Sequence, residues 1–298
     1  MTSRLPDLGP GASGIFDLSA RVRMSDEEAR LLQEIIHEYC GLSHGLDSTF
    51  FLERRIGPRV EALGLSTYRE YYHYLRYDPG GPRELEDVVE RITTHETYLF
   101  REQYQLDAFS EELMPEMWDR LLSRRRLLVW SAGCSTGEEV YTLAILLREN
   151  PRFADWAVRV VGSDISRQVV ATARRGSYGP SSFRTTERYH RDKYFRERSG
   201  RYHVRDDIRA ICSFGQLNLL DTSRYEVLGA VDVIFCRNVL MYLSAQARQK
   251  IVESFYDALN PGGYLLLGHS ESLLNVTTRF DLVHLDRDLV YQRPANSR

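Results

Sequence analysis

The sequence predicts an α/β domain with a parallel central sheet, preceded by a small all-α domain. Three observations carry that prediction. From Leu127 onward, short apolar runs alternate with amphipathic helical stretches, the pattern of a parallel sheet covered on both faces. The run Leu127–Trp130 passes through the glycine-bearing stretch Ser131-Ala-Gly-Cys-Ser-Thr-Gly137 into a helix-compatible segment, Val140 to Glu149. A strand, a glycine turn and a helix in that order open the βαβ unit in which such folds hold nucleotides. Upstream of residue 93, apolar residues recur at helical spacing.

Residues 1–20 are rich in Gly, Pro, Ser and Asp and are expected to form a disordered tail. The all-α domain spans residues 21–92. Ser25 with Glu28 makes a capping box, Leu31, Leu32, Ile35, Ile36 and Tyr39 follow at helical spacing, and Gly41 ends the run. A second helix is expected from Phe51 to Leu63, with Leu52, Ile56, Val60 and Leu63 as its apolar stripe and Pro58 kinking or shortening it. Ser66 is the expected cap of a third helix. Pro82 suits the first turn of a fourth, whose Leu85, Val88, Val89 and Ile92 face inward. Residues 93–126 are a linker and a connecting helix, Tyr104 to Leu122. The α/β domain occupies 127–298, with strands expected at 127–130, 158–163, 210–215, 231–236 and 264–268. Helices fit after the first strand, after Ser166 and from Ala245 to Leu259, and Phe280–Leu285 and Leu289–Gln292 are close enough to pair antiparallel. Residues 176–209 break the alternation. Their aromatic and basic composition around Ser199-Gly200 predicts an inserted antiparallel hairpin or small sheet.

A chain of 298 residues has room for about two domains. Its formal net charge of −3 gives no nucleic-acid signal. Lys193 and Lys250 are the only lysines, so single arginines in this arginine-rich chain carry less functional weight than usual. The four cysteines show no CxxC pair, so reduced thiols and no metal site are expected. No apolar run reaches membrane-spanning length, the first residues lack a signal-peptide core, and a cytoplasmic location is expected.

Asp164 ends the apolar run after the glycine turn, where an acidic side chain can accept both hydroxyls of a ribose. Turn and acid together suggest a nucleoside cofactor. A competing reading exists: Gly133-Cys-Ser-Thr-Gly137 matches the G-x-S-x-G nucleophile elbow of α/β-hydrolases, with Ser135, Asp232 and His269 in the order of that fold's triad. Against it, no oxyanion-type segment precedes the serine, and Glu138-Glu139 put negative charge where an oxyanion would form. Asn238 follows the run Val231–Phe235 at the carboxyl end of a strand, where α/β folds place ligands; Asn218 ends another strand in the same way. Either asparagine could equally be a cap or turn residue. Thr93-Thr-His-Glu-Thr-Tyr-Leu-Phe-Arg-Glu102 gathers polar groups at the domain boundary, a frequent place for ligands.

Four segments in order resemble the motifs of the CheR family, the chemotaxis receptor methyltransferases. They are Thr93–Glu102 (family form close to T-T-N-x-T-x-F-F-R-E), Trp130–Glu139 (W-S-A-x-x-S-T-G-E-E), Phe235–Tyr242 (F-C-R-N-V-x-x-Y) and Gly262–Ser270 (G-G-x-L-x-x-G-x-S). The resemblance covers roughly Ser25 to Arg293. It implies an all-α domain followed by a class I S-adenosylmethionine-dependent methyltransferase domain, Rossmann-like, with a small inserted antiparallel β-subdomain. It also implies methylation of receptor glutamates to methyl esters, with S-adenosylhomocysteine as product. Carried over by residue, it implies cofactor contacts from Thr97, Arg101, Glu138, Asp164, Asn218, Leu219, Arg237 and Asn238, with Arg101 and Tyr242 nearest the transferred methyl. His95 stands where the family usually has Asn, so the hydrogen bonding expected there changes. As partners the resemblance implies receptor cytoplasmic helices, docked through Arg54, Arg55 and Arg59, and a receptor C-terminal peptide paired with the insert; a solvated arginine-rich face is the plainer reading of both basic features. A family member that binds the cofactor without catalysis is the remaining alternative, though Arg101 and Tyr242 are intact.

The chemistry fits these residues. A glutamate carboxylate has a reference pKa of about 4.3 and is ionised at neutral pH, so methyl transfer to it needs no strong base. It needs alignment and exclusion of water. An arginine can hold a carboxylate bidentately and a tyrosine hydroxyl can fix a remaining lone pair, tasks that suit Arg101 and Tyr242.

Overall fold

The computed structural model describes residues 22–295 apart from 44, 45 and 47, so the expected tail lies outside the described residues. Four helices come first. Helix α1 (Asp26–Cys40) starts on the Ser25–Glu28 capping box and ends at left-handed Gly41. Helix α2 (Thr49–Ala62) runs past Pro58, which neither ends nor shortens it. The amide lost at Pro58 is outweighed by the packing of Leu52, Ile56 and Val60, all at most 1% exposed. Helix α3 (Tyr68–Tyr77) is capped by Thr67, one residue later than expected; the Ser66 amide instead donates to Glu70. Helix α4 (Gly81–Ile92) carries Pro82 in its first turn. Their apolar faces form one core.

The connecting helix is not one α-helix. It comprises α5 (Gln103–Ala108), a π turn at Phe109–Leu113 and α6 (Met114–Leu121). Pro115 supplies no amide to the ladder, which widens just before it.

The α/β domain follows: β1 (Arg126–Ala132), α7 (Glu138–Glu149), β2 (Ala157–Asp164) and α8 (Arg167–Arg175). The insert holds β3 (Ser177–Tyr178), α9 (Arg188–Tyr194), β4 (Phe195–Arg198), β5 (Arg201–Val204) and α10 (Asp206–Arg209). Then come β6 (Cys212–Gln216), β7 (Val231–Cys236), α11 (Ala245–Ala258), β8 (Leu259–Leu267), β9 (Asp281–His284) and β10 (Leu289–Gln292). The seven-stranded sheet runs β6-β2-β1-β7-β8-β10-β9. Its first five strands are parallel and β10 and β9 are antiparallel. Strand β8 begins earlier than expected because a register shift opposite Val231–Val233 accommodates Asn260-Pro-Gly-Gly263. Separate apolar cores cover the two faces of this sheet.

The insert is a three-stranded antiparallel sheet, order β3-β5-β4, turning at left-handed Ser199 and Gly200. Helix α9 lacks an apolar stripe in sequence. It is anchored by Glu149, which accepts from His190 (3.1 Å), Lys193 (3.0 Å) and Tyr194 (2.9 Å). Among the described residues no helix is long and apolar enough to cross a membrane.

Candidate functional site

A cavity of about 270 Å³ opens at the carboxyl ends of β1, β2 and β7, between the two domains. The turn after β1 builds its floor. Gly133 is left-handed, and a Cβ there would come within 2.4 Å of the Val239 side chain, so the backbone can lie at the cavity only as glycine. Ser135 is also left-handed, which aims its amide at Asp164. The Asp164 carboxylate, buried at the tip of β2, accepts from the Ser135 amide (2.8 Å) and the Ser166 amide (3.0 Å), one per oxygen. Burial pushes its pKa up; the two amides and nearby His95 oppose that shift. Each oxygen keeps further acceptor capacity.

The Thr93–Glu102 segment forms one wall, with His95, Thr97 and Arg101 all lining the cavity. Phe100 and Glu102 are left-handed on either side of Arg101. Such residues persist only where their surroundings hold them. Here the Phe100 amide donates to Thr142 (3.0 Å), the Leu99 amide to the Ser182 carbonyl (2.9 Å), and the Phe100 ring stacks on His190. His95 meets Thr93 Oγ1 through Nε2 at 2.9 Å.

The loop after β7 supplies Arg237, Asn238 and Tyr242. Arg237 is buried, donating to Glu102 (2.8 Å), Glu139 (3.2 Å) and the Arg101 carbonyl (2.9 Å). Burial alone would lower its pKa; Glu139 and Glu102 more than offset this and raise it. Its Nε has no partner among the described residues. Leu219 and Asn218 line the cavity after β6, yet both ends of the Asn218 side chain are engaged, Nδ2 to the Tyr39 carbonyl (2.6 Å) and Oδ1 to the Leu220 amide (3.0 Å). Cys40, Leu42, Leu46 and Phe51 close the cavity from the all-α domain.

The profile described as "CheR methyltransferase, SAM binding domain" matches residues 95–289, and "CheR methyltransferase, all-alpha domain" matches residues 27–93. The chain belongs to the CheR methyltransferase family. It is 33% identical to chemotaxis protein methyltransferase 2 of Vibrio cholerae over 92% of this chain and 96% of that protein. It is 31% identical to chemotaxis protein methyltransferase 1 of Pseudomonas aeruginosa over 90% and 98%.

This CheR-family chain is therefore an S-adenosylmethionine-dependent methyltransferase of chemotaxis, with an all-α domain before a class I methyltransferase domain. Its cavity suits that cofactor: a strand-end carboxylate with spare acceptor capacity, a buried guanidinium Nε lacking a partner, and a glycine floor. The hydrolase alternative fails on geometry. Asp232 sits at the amino end of β7, level with Leu128, where it accepts from the Leu128 amide (2.9 Å), Asn260 (2.8 Å) and Arg124. Ser135 lies beyond the opposite end of the sheet, and its hydroxyl donates to the His95 carbonyl (3.2 Å).

Two sets of residues sit elsewhere than the motifs implied. Glu138 does not line the cavity; it is buried, accepting from Thr136 (2.6 Å) and Ser182 (3.0 Å), and burial raises its pKa. Its neighbour Glu139 lines the cavity instead, holding Ser131 (2.6 Å) and Arg237. The arginines of α2 also separate. Arg54 and Arg55 are exposed, whereas Arg59 forms a two-pronged pair with buried Glu84, which also accepts from Tyr71 (2.6 Å). Glu139 was one position from a residue already singled out, but only the direction of entry into α7 tells which carboxylate faces inward.

Proposed function

We propose that the enzyme esterifies glutamate side chains on chemotaxis receptor helices in the cytoplasm. Bound S-adenosylmethionine supplies a sulfonium methyl already activated for displacement. Asp164 holds the ribose hydroxyls, and Arg237, Asn238, Leu219, Thr97 and His95 hold the remainder of the cofactor. Glu139 takes the place near the cofactor that the motif comparison assigned to Glu138. Arg101 and Tyr242 align the acceptor carboxylate, which is ionised at neutral pH and needs no base.

The observation that carries this reading is that Arg101 and Tyr242 line the same cavity as Asp164, although they lie 141 residues apart in the chain. Arg101 is the cavity's more available guanidinium: 27% of its side chain is exposed, whereas Arg237 is 3% exposed and held by two carboxylates. Exposed Arg54 and Arg55 on α2 dock the acidic receptor helix. The free long edge of the insert is β4, with exposed Arg196, Glu197 and Arg198, and it can add an extended peptide from a receptor tail.

The test is transfer of labelled methyl from S-adenosylmethionine to receptor-containing membranes, with alkaline release of methanol to identify esters. Tyr242→Phe is expected to lower kcat while leaving S-adenosylhomocysteine affinity within about twofold, because the hydroxyl acts on the acceptor. Wild-type turnover in that variant, or label stable to alkali, would overturn the reading.

A further inference from the structure

One carboxylate outside the cavity gathers four backbone amides from two loops. Glu271 closes a turn after β8, its own amide donating to the Gly268 carbonyl (2.9 Å). Its Oε2 accepts from the amides of Asn238 (2.7 Å) and Gly268 (2.8 Å). Its Oε1 accepts from the amides of Val239 (2.9 Å) and Met241 (3.1 Å). Three of these donors belong to the loop that carries Asn238 and Tyr242 into the cavity. Asn238 is left-handed, so its amide and that of Val239 converge, forming the kind of concavity that binds anions. The protein fills this concavity with its own side chain.

Gly268 makes the approach possible. A Cβ there would stand 2.8 Å from both the Asn238 amide and Glu271 Oε2. Strands β7 and β8 are adjacent, with Cys236 level with Leu267, so the two loops leave the sheet side by side. Among the described residues nothing else hydrogen-bonded to the Asn238–Met241 amides replaces the carboxylate: the next contact along this loop is the Tyr242 amide to the Val239 carbonyl (3.2 Å).

We propose that Glu271 is a positioning residue for methyl transfer: its carboxylate holds the left-handed conformation at Asn238 and thereby the placement of Asn238 and Tyr242. The demand is specific to a carboxylate of this length. Four inward-pointing N–H groups need four acceptor sites, and an ionised carboxylate offers about that number on two oxygens. A glutamine turns an NH₂ toward two of the donors. An aspartate keeps the charge but falls short by one methylene.

The inference rests on the proposed roles of Asn238 and Tyr242, and its test separates the two. Glu271→Gln and Glu271→Asp are purified as full chains. Circular dichroism and thermal melting give the folded fraction, calorimetry gives S-adenosylhomocysteine affinity, and labelled-methyl transfer gives kcat and KM. Misplacement of about 1 Å can cost roughly 10²-fold in rate. Folded Glu271→Gln is therefore expected to lose about 10²-fold in kcat and roughly tenfold in S-adenosylhomocysteine affinity, with Glu271→Asp losing less of both. A role in stability alone would lower the melting temperature while the folded protein kept wild-type kcat and affinity, and that result overturns the proposal. Where Glu271→Gln does not fold, Glu271→Asp decides on the same terms: a fall of about fivefold or more in kcat at full folding supports the proposal, and wild-type values overturn it. Undiminished turnover in Tyr242→Phe would instead defeat the role given to Tyr242, leaving the affinity measurement to judge Glu271.

Discussion

Asp164→Ala separates the structural job of one carboxylate from its proposed job at the cofactor. Its oxygens are the acceptors for the Ser135 and Ser166 amides, at 2.8 and 3.0 Å. Truncation leaves both amides in a buried place without a partner, at about 1–3 kcal/mol each before local relaxation. In a domain of this size each kcal/mol lowers the melting temperature by about 2–4 °C, so a drop of roughly 4–24 °C follows, toward the low end once the turn relaxes and with the chain still folded at room temperature. The proposed second job is at the cofactor ribose, where losing a charge-assisted hydrogen bond costs about 1.5–3 kcal/mol, or roughly ten- to 150-fold in affinity. Asp164→Asn keeps an acceptor for one amide and should melt above Asp164→Ala while binding S-adenosylhomocysteine almost as weakly. Calorimetry and thermal melting on the same preparations measure both effects. Folded Asp164→Ala with affinity within about twofold of wild type would refute the ribose role, and an unchanged melting temperature would refute its hold on the glycine turn.

Arg59→Ala should lower unfolding stability by about 2 kcal/mol, below the 3–5 of a fully buried broken pair because Arg59 is 24% exposed, and a urea midpoint measures it. Charge reversal at Arg54 and Arg55 should leave that midpoint unchanged and raise the receptor KM in a salt-dependent way; an unchanged KM would leave α2 as a solvated face. Glu149 is pushed up by burial but pulled down further by Lys193, Tyr194 and His190, so its folded pKa lies below the ordinary value. The stability it contributes is complete above its unfolded pKa of about 4.3 and is lost as pH falls through the lower folded value, so Glu149→Gln should flatten the stability profile below about pH 5, as denaturant titrations at stepped pH would show. Asn218→Ala removes the bond to the Tyr39 carbonyl and should weaken S-adenosylhomocysteine binding through a loosened all-α domain, visible as faster amide exchange in α1; unchanged exchange would sink that route.

Period and turn chemistry made most of the architecture legible. The alternation after Leu127 marked the five parallel strands, most plainly β7, which is buried on both faces and reads as a near-continuous apolar run. Pro82, Ser25–Glu28 and Gly41 marked helix ends through local hydrogen bonding that the sequence displays directly. What stayed hidden was set by tertiary partners. Helix α9 has polar faces and is held by Glu149 from another helix. The π turn before Pro115 buries Phe109 and Leu113, a widening that helical periodicity does not display. Within the site, the strand-end positions of Asp164 and Asn238 follow from a general rule of α/β sheets, whereas Glu271 shows no signal because three of its four donors lie about thirty residues upstream. Arg59 looked like its neighbours until Glu84, on another helix and itself held by the Tyr71 hydroxyl, took its charge.

The all-α domain shares in the catalytic cavity as well as standing beside it. Leu42 pairs with Leu243 in an isolated antiparallel bridge, the Ser43 amide donates to the Tyr242 carbonyl (3.0 Å), and the Ser244 amide donates to the Gly41 carbonyl (2.9 Å). His37 of α1 meets the Ser244 hydroxyl at 2.9 Å, on the residue that caps α11. Tyr242 is therefore fixed from one side by the end of α1 and from the other by Glu271. Helix α2 presents exposed Arg54 and Arg55, while its Phe51 lines the cavity and lies 5.4 Å from the Arg55 guanidinium. A receptor helix docked on those arginines would press on the same element that closes the cofactor cavity. The proposed methyl transfer to a carboxylate would gain from that arrangement because water must leave before sulfur, methyl and oxygen align. Docking the substrate and drying the cavity then become a single packing event, carried by α2.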